Sequence, residues 1–214
     1  ESKTTATDAT VKLSGSAKIS TGTLVMNGGT LEIENASSYL SGFEFKKSGE
    51  NNVQVNLTDS SVTVKKTQSL ANTAFSGSGV AKMVLETSTY DAYTKKETVE
   101  LGAISIDGID VSLMQDVNEM NPVETLVLSV NGALALSGNF SVTADELNLA
   151  AGGSVTVTVT ADTTTDKAMF NVGSYTDFTS SAITINSGAG FRNTFATSRN
   201  LDLSAPVNVI NANT

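Results

Sequence analysis

The apolar residues of this chain recur at every second position in short runs that follow one another closely. Residues 53–57 (VQVNL) and 155–159 (VTVTV) are two such runs among many along the 214 residues. Period-two alternation is typical of strands with one buried face. Helical periodicity is nearly absent, because the best candidate, 114–124, is short and is stopped by Pro122. An all-β fold is therefore expected.

The spacing of the runs favours one kind of all-β fold. Between residues 126 and 142, three apolar runs are separated only by Asn131-Gly132 and by residues 137–139. Strands of a β-sandwich are usually about 8–12 residues apart, which is a wider spacing than this. In a β-solenoid, each coil holds two or three short strands that pair with the coils above and below. We expect a solenoid, with an antiparallel β-sandwich as the alternative.

A solenoid repeats with the length of one coil, and offsets of 21–22 residues connect apolar positions along this chain. One predicted series runs through Val62, Met83, Ile104, Leu126, Leu147 and Met169, a second through Leu31, Val53 and Phe75, and a third joins Leu134 to Val155. The predicted fold is a right-handed parallel β-helix with about 21–22 residues per coil. We expect residues 1–214 to form a single domain, and the start at Glu1 without Met indicates a mature or excised fragment of a longer chain.

The stretch GTLVMNGGTLEIENA, residues 22–36, contains a break at Asn27-Gly28-Gly29. Asn and Gly tolerate left-handed backbone angles, so the break can be either a hairpin turn or a corner between two strands of one coil. The solenoid interpretation predicts a corner, and the sandwich predicts a hairpin.

Composition and charge exclude several functional classes. The chain has no Cys and no His, so disulfides, histidine-dependent triads and zinc sites of the usual kind are absent. The net charge is −9, and residues 101–214 contain only Lys167, Arg192 and Arg199 as basic residues. A nucleic-acid site needs a basic face, so no nucleic-acid partner is expected. No run approaches the roughly 20 apolar residues of a membrane span, so any anchor lies outside this fragment.

Strings such as GTLVMNGGTLEIENASS and NGALALSGNFSVTADELNLAAGGSVTVTVT combine alternating apolar residues with Asn/Gly corners and a Ser/Thr/Ala-rich composition. Over about residues 10–210, this patterning resembles passenger domains of bacterial autotransporters and related secreted adhesins. The resemblance implies a right-handed parallel β-helix at the bacterial surface or secreted, and a role in adhesion or self-association. It carries over no functional residue, because no motif fixes one.

We expect a non-enzymatic adhesin-type module that binds a surface glycan or protein, or a second copy of itself, through its outer face, without a cofactor. Residues 86–98 depart from the alternation and predict a loop that protrudes from the stack. Tyr90 and Tyr93 in this loop are the candidate binding residues, since exposed tyrosines are good contact points. A structural spacer or surface-layer module is the alternative function, and a carbohydrate-active enzyme is a third.

Three further groups of residues are candidate sites. Asp107 and Asp110 are close enough in sequence to form a glycosidase carboxylate pair, but a bend at Asp107-Gly108 with Asp110 facing solvent is the favoured interpretation. Asp162 and Asp166 could supply oxygen ligands to calcium, but no calcium-loop motif surrounds them. The row from Ser154 to Thr160 suits a solvated strand face. No catalytic or metal residue is predicted.

Overall fold

The protein is seen here as a computed structural model that describes residues 2–15, 22–65, 68–87, 89–115, 123–137, 140–149, 154–159, 168–176, 182–187 and 207–210; beyond Asn148 only the backbone is described. The strands in these ranges are β1 (Lys3–Thr7), β2 (Thr10–Ser14), β3 (Thr23–Asn27), β4 (Thr30–Glu34), β5 (Ser37–Tyr39), β6 (Phe43–Lys46), β7 (Val53–Thr58), β8 (Ser61–Val64), β9 (Thr73–Ser78), β10 (Lys82–Glu86), β11 (Thr89–Asp91), β12 (Lys96–Leu101), β13 (Ile104–Asp107), β14 (Asp110–Met114), β15 (Thr125–Val130), β16 (Ala133–Ser137), β17 (Phe140–Leu149), β18 (Ser154–Val159), β19 (Ala168–Thr176), β20 (Ala182–Ser187) and β21 (Val207–Ile210).

Successive strands are distributed over sheets in a recurring cycle. Sheet I has the order β2-β4-β7-β9-β13-β16-β18-β20-β21. Sheet II has the order β5-β8-β10-β14, followed by the first half of β17. A third set of strands, each of which precedes a sheet I strand along the chain, is called sheet III here. Sheet III has two separate parts. The first has the order β1-β3-β6, and the second has the order β12-β15, followed by the second half of β17. No described strand joins β6 to β12.

Neighbouring strands of these sheets run parallel, as in β4 with β2 and β7. The all-β prediction is confirmed, and the antiparallel sandwich does not match these pairings. One hairpin makes the strand set mixed, because β11 pairs antiparallel with β12. The segment 114–124, the best candidate for helical periodicity, falls mostly on residues outside the described ranges, and Met114 is the last residue of β14. Within those ranges, no helix has the length and hydropathy to cross a membrane.

The break at Asn27-Gly28-Gly29 is a corner, as predicted. Asn27 ends β3 in sheet III and Thr30 begins β4 in sheet I, so the chain changes sheet there without reversing within one. Gly28 and Gly29 have φ angles of 62° and 77°. A Cβ atom at Gly29 would lie 2.3 Å from the carbonyl oxygen of Ala9. Glycine is therefore required both by the backbone conformation and by the neighbouring chain.

The predicted constant spacing of 21–22 residues is wrong in most of the chain. Val62 does pair with Met83, and Leu134 pairs with Val155, as expected. The distance along the chain between paired residues nevertheless varies from 19, for Leu24 with Phe43, to 31, for Val111 with Val142.

The predicted series Leu31–Val53–Phe75 fails because the connection before β7 is longer than expected. Leu31 pairs with Val55, 24 residues later, and Val55 pairs with Phe75, 20 residues later. The connection from β6 to β7 contains a small turn closed by an antiparallel bridge between Ser48 and Asn51. These extra residues displace the pairing by two positions.

The later predicted steps are also wrong, for the same kind of reason. Met83 pairs with Val111 and not with Ile104, because the β11–β12 hairpin is inserted between β10 and β13. The remaining corrections have the same form: Ile104 pairs with Leu134, Leu126 with Glu97, Leu147 with Leu128 and Tyr175, and Met169 with Ser141.

The inward-facing residues of the three sheets form one continuous apolar core. The largest fully buried side chains are Phe75, Met26, Leu31, Ile33, Leu40, Leu57, Met83, Leu85, Ile106, Ile109 and Leu128. Each strand buries only alternate residues, as Val53, Val55 and Leu57 do in β7 while Gln54 and Asn56 are exposed. These inward-facing residues pack against one another in a single cluster.

Candidate functional site

The segment 86–98, predicted to be a protruding loop, is largely an antiparallel hairpin. Thr89–Asp91 pairs with Lys96–Thr98, and the turn lies between Asp91 and Lys96. Tyr93 in this turn is 96% exposed, whereas Tyr90 on β11 is half-buried. The two candidate residues are thus on one hairpin, and Tyr93 alone offers nearly its whole ring to a partner.

The hairpin turn is fixed by polar contacts of its own. Asp91 Oδ1 accepts hydrogen bonds from the backbone N–H groups of Tyr93, at 2.9 Å, and Thr94, at 3.3 Å. A hydrogen bond from the Thr94 side chain and these backbone bonds hold the pKa of Asp91 below its ordinary value. Lys95 has a φ angle of 53° and forms an ion pair with Glu124, which raises the pKa of Lys95. The exposed Tyr93 is therefore carried on an ordered turn.

The base of the hairpin contains buried carboxylates. Glu97 is 5% exposed and accepts a hydrogen bond of 2.5 Å from the hydroxyl of Thr87, which is also buried. Glu146 is 6% exposed and pairs with Lys96. Because an unpaired buried carboxylate is costly, these partners stabilise the hairpin where it joins sheet III.

The interruption of sheet III forms a cleft of about 610 Å³. Its lining is contributed by residues 68–72, by the end of β12 and by parts of the neighbouring strands and connections. The apolar side chains of Val64, Leu85, Val99 and Ile104 are part of the lining, and all four are buried. Polar and charged groups also contribute, namely Lys47, Asn52, Lys65, Gln68, Glu86 and Glu100.

Two backbone edges border this cleft region. On the β6 side, the Phe43 carbonyl accepts a hydrogen bond of 2.9 Å from Gln68 Nε2. On the other side, β11 pairs with only Lys96–Thr98 of β12, while β15 pairs with the whole opposite edge. Residues Val99–Leu101 thus have a strand neighbour on one edge only, within the part of the chain that the structure describes.

The acidic pair considered for glycoside hydrolysis is divided by a corner. Asp107 ends β13 in sheet I, and Asp110 begins β14 in sheet II. Gly108 between them has a φ angle of 64°. Asp107 Oδ1 accepts a hydrogen bond of 2.6 Å from the Ser137 hydroxyl on the next strand of sheet I, whereas Asp110 is exposed. The bend explains both residues, and Asp107 is occupied in bonding between neighbouring strands.

The remaining candidates lie mostly beyond what the structure describes. Asp162, Asp166, Arg192 and Arg199 lie outside the described residues, as does Thr160. The rest of the row from Ser154 lies on β18, which pairs with β16 and β20 in sheet I. Among the residues with described positions, no group of three or more acidic side chains could hold a metal ion.

Sequence reasoning missed the cleft. Its signal was present in residues 65–72 (KKTQSLAN), which follow β8 and precede β9 in sequence but lack period-two alternation. Where sheet III is interrupted, the buried core residues Val64 and Leu85 line the cleft.

Comparison with known proteins gives no relative. The sequence matches no protein-family model, and no curated protein or solved structure is significantly similar to it.

Proposed function

We propose that this chain is a right-handed parallel β-helix that acts as an adhesin-type module at a bacterial surface or in secreted form. The cycle of strands through sheets III, I and II, with parallel pairing to the preceding cycle, supports the solenoid. Right-handed winding follows from the strong preference of parallel strand connections for that hand. The proposed function of the module is non-enzymatic, and it depends on contacts made by the outer face of the β-helix.

The observation that carries this proposal is the outer face of sheet I. One register position on nine strands is occupied by uncharged residues: Thr10, Thr30, Gln54, Ala74, Ser105, Ala135, Thr156, Thr184 and Asn208. Thr10, Gln54, Ser105 and Ala135 are exposed. Such a row offers weak hydrogen bonds along an uncharged strip, beside a row of the same sheet that carries Lys12, Glu32 and Asp107. An uncharged polar strip suits extended contact with a glycan, a protein or a second copy of the chain.

The experiment compares two proposed contact regions on the folded protein. A Ser105→Arg/Ala135→Arg variant disturbs the sheet I row, and Tyr93→Ala removes the exposed ring of the hairpin. Ser112→Arg on the exposed face of β14 is the control for added charge. Binding is measured to cells and to a glycan array, and self-association is measured by sedimentation.

We expect the sheet I variant to reduce binding at least about fivefold, because two large charged side chains prevent close approach along the row. Tyr93→Ala lowers binding separately if the hairpin contributes, while Ser112→Arg leaves it unchanged. The adhesion proposal fails if the unaltered protein is a monodisperse monomer that binds nothing in these assays. That result would favour the spacer or surface-layer alternative.

A further inference from the structure

We infer that the cleft in sheet III is a binding site for an extended peptide of a partner protein, which adds a strand beside Val99–Leu101. This inference does not depend on the proposed adhesive function, because it concerns a different face and a different kind of contact. It rests on the backbone edge, the floor and the polar groups of the cleft.

Among the residues with described positions, no strand pairs with Val99–Leu101 on the edge of β12 that faces away from β15. The carbonyl of Leu101 accepts a hydrogen bond of 2.9 Å from Asn131 N–H, so Leu101 directs its backbone groups toward β15. Successive residues of a strand direct these groups to opposite edges, and Glu100 therefore presents its N–H and C=O to the cleft. β11 stops short of this position, since it pairs with Lys96–Thr98 only. An added strand would meet a donor and an acceptor there.

The floor of the cleft suits the alternate side chains of such a strand. Val64, Leu85, Val99, Leu101 and Ile104 are all at most 6% exposed, and all line the cleft. The volume of about 610 Å³ is large enough to admit several side chains. Since strand residues alternate between two faces, a peptide with an apolar residue at every second position would place those residues on the floor.

Two polar side chains point to a backbone as the missing partner. Asn52 Oδ1 is buried and has no hydrogen-bond partner among the described residues, although Asn52 lines the cleft. A buried acceptor without a donor is costly, and a peptide N–H would satisfy it. On the β6 side, Gln68 Nε2 donates to the Phe43 carbonyl, so a side-chain amide makes a bond that a strand N–H would make in an unbroken sheet.

The charges around the cleft indicate an uncharged peptide. Lys65 and Glu86 form an ion pair of 2.6 Å, and the exposed Lys47 and Glu100 add one charge of each sign. A rim with balanced charge gives no advantage to a strongly acidic or basic segment. The expected partner is therefore a neutral segment in which Val, Leu or Ile alternates with Ser or Thr.

The probe is the capped peptide TLVLSVN, which copies residues 125–131 of this chain and includes the strand that pairs with β12 on its other edge. Its binding to the full chain is measured by fluorescence anisotropy. The matched peptide carries Ser129→Pro, which keeps every apolar residue but removes one N–H needed for strand pairing. In the protein, Ala71→Trp fills the mouth of the cleft, and Ser112→Trp on the exposed face of β14 is its control.

We expect saturable binding of the unaltered peptide, and about tenfold weaker binding for the proline peptide and for the Ala71→Trp protein. Ser112→Trp should bind within about twofold of the original protein. The inference is overturned if no saturation is seen up to about 1 mM peptide, or if both peptides bind equally. Hydrogen exchange on the unaltered protein gives an independent readout, because bound peptide should protect the amide of Glu100, and protection elsewhere only would contradict the assignment.

Discussion

Sheet I and sheet III are built by the same chain in the same cycle, yet one is continuous and the other is not. Sheet I runs through nine strands from β2 to β21, whereas sheet III stops after β6 and resumes at β12. The difference arises where residues 65–72 lack the alternation that a half-buried strand needs. One segment without alternation thus coincides with an interruption of one sheet, while the sheet beside it stays intact.

The comparison is tested most strongly by two isoleucines on the same strand of sheet I. Ile106 is 1% exposed within the continuous core, and Ile104 is 5% exposed and lines the cleft. We expect Ile106→Ala to lower the free energy of unfolding by about 4 kcal/mol and Ile104→Ala by about 2 kcal/mol, because Ile104 has fewer packing partners to lose. Urea denaturation measures both values, and equal losses would mean that the cleft does not weaken local packing.

The next test compares glycines at a regular and an irregular connection from sheet III to sheet I. Gly29 has a φ angle of 77° and no room for a Cβ atom, whereas Gly49 has a φ angle of 57° and no atom within 4 Å of a Cβ. Gly29→Ala should cost about 3 kcal/mol and Gly49→Ala about 1 kcal/mol, since only the first adds a clash to the strained backbone. Thermal unfolding of both variants would contradict the account if Gly49→Ala were the more destabilised.

The smallest effect is expected at an ion pair on the outer side of the first part of sheet III. Glu44 lies 2.7 Å from Lys3 Nζ and 3.0 Å from Lys46 Nζ, and hydrogen bonds from these two amines lower the pKa of Glu44 below its ordinary value of 4.5. A lowered pKa contributes stability above about pH 4.5, and this contribution is lost as the pH falls through the folded-state pKa.

Glu44→Gln should therefore lower the Tm by about 1 °C at pH 7 and leave it unchanged near pH 2. The group is exposed, so 1 M salt should remove most of the difference. A larger loss at pH 2 than at pH 7 would reverse the expected sign and refute the pairing of Glu44 with the two lysines.

The sequence predicted the strand class and the corner at Gly28-Gly29 because alternation and Asn/Gly breaks are local signals. Register was harder to predict, since Val53 and Val55 are both buried and a strand that slips by two residues keeps the same face inward. The turn at Ser48–Asn51 determines which of these two valines pairs with Leu31, and its sequence has no apolar pattern from which the turn could be predicted. The strand β12 was not predicted, because Glu97 occupies one of its inward positions and a carboxylate there interrupts the alternation of apolar residues.

The cleft could have been inferred only as a missing strand. Its lining comes from segments as distant in sequence as Lys47 and Ile104, and their proximity depends on the pairing register that the sequence left ambiguous. The exposure of Tyr93, unlike the cleft, could be predicted from the local sequence. Its segment is polar and lacks alternation, and the residue is 96% exposed. Whether it binds a partner stays a prediction.

The most direct test of the account is the pairing register of β4 with β7. The chain has no cysteine, so disulfides can be introduced without background. Glu32 pairs with Asn56, and Cα atoms of paired residues in adjacent strands are about 5 Å apart, within the range of a disulfide. Gln54 is displaced from that position by two residues, which places it about 8 Å from Glu32 and out of reach. The account predicts rapid oxidation of the Glu32→Cys/Asn56→Cys variant and little of the Glu32→Cys/Gln54→Cys variant, and the reverse result would contradict it.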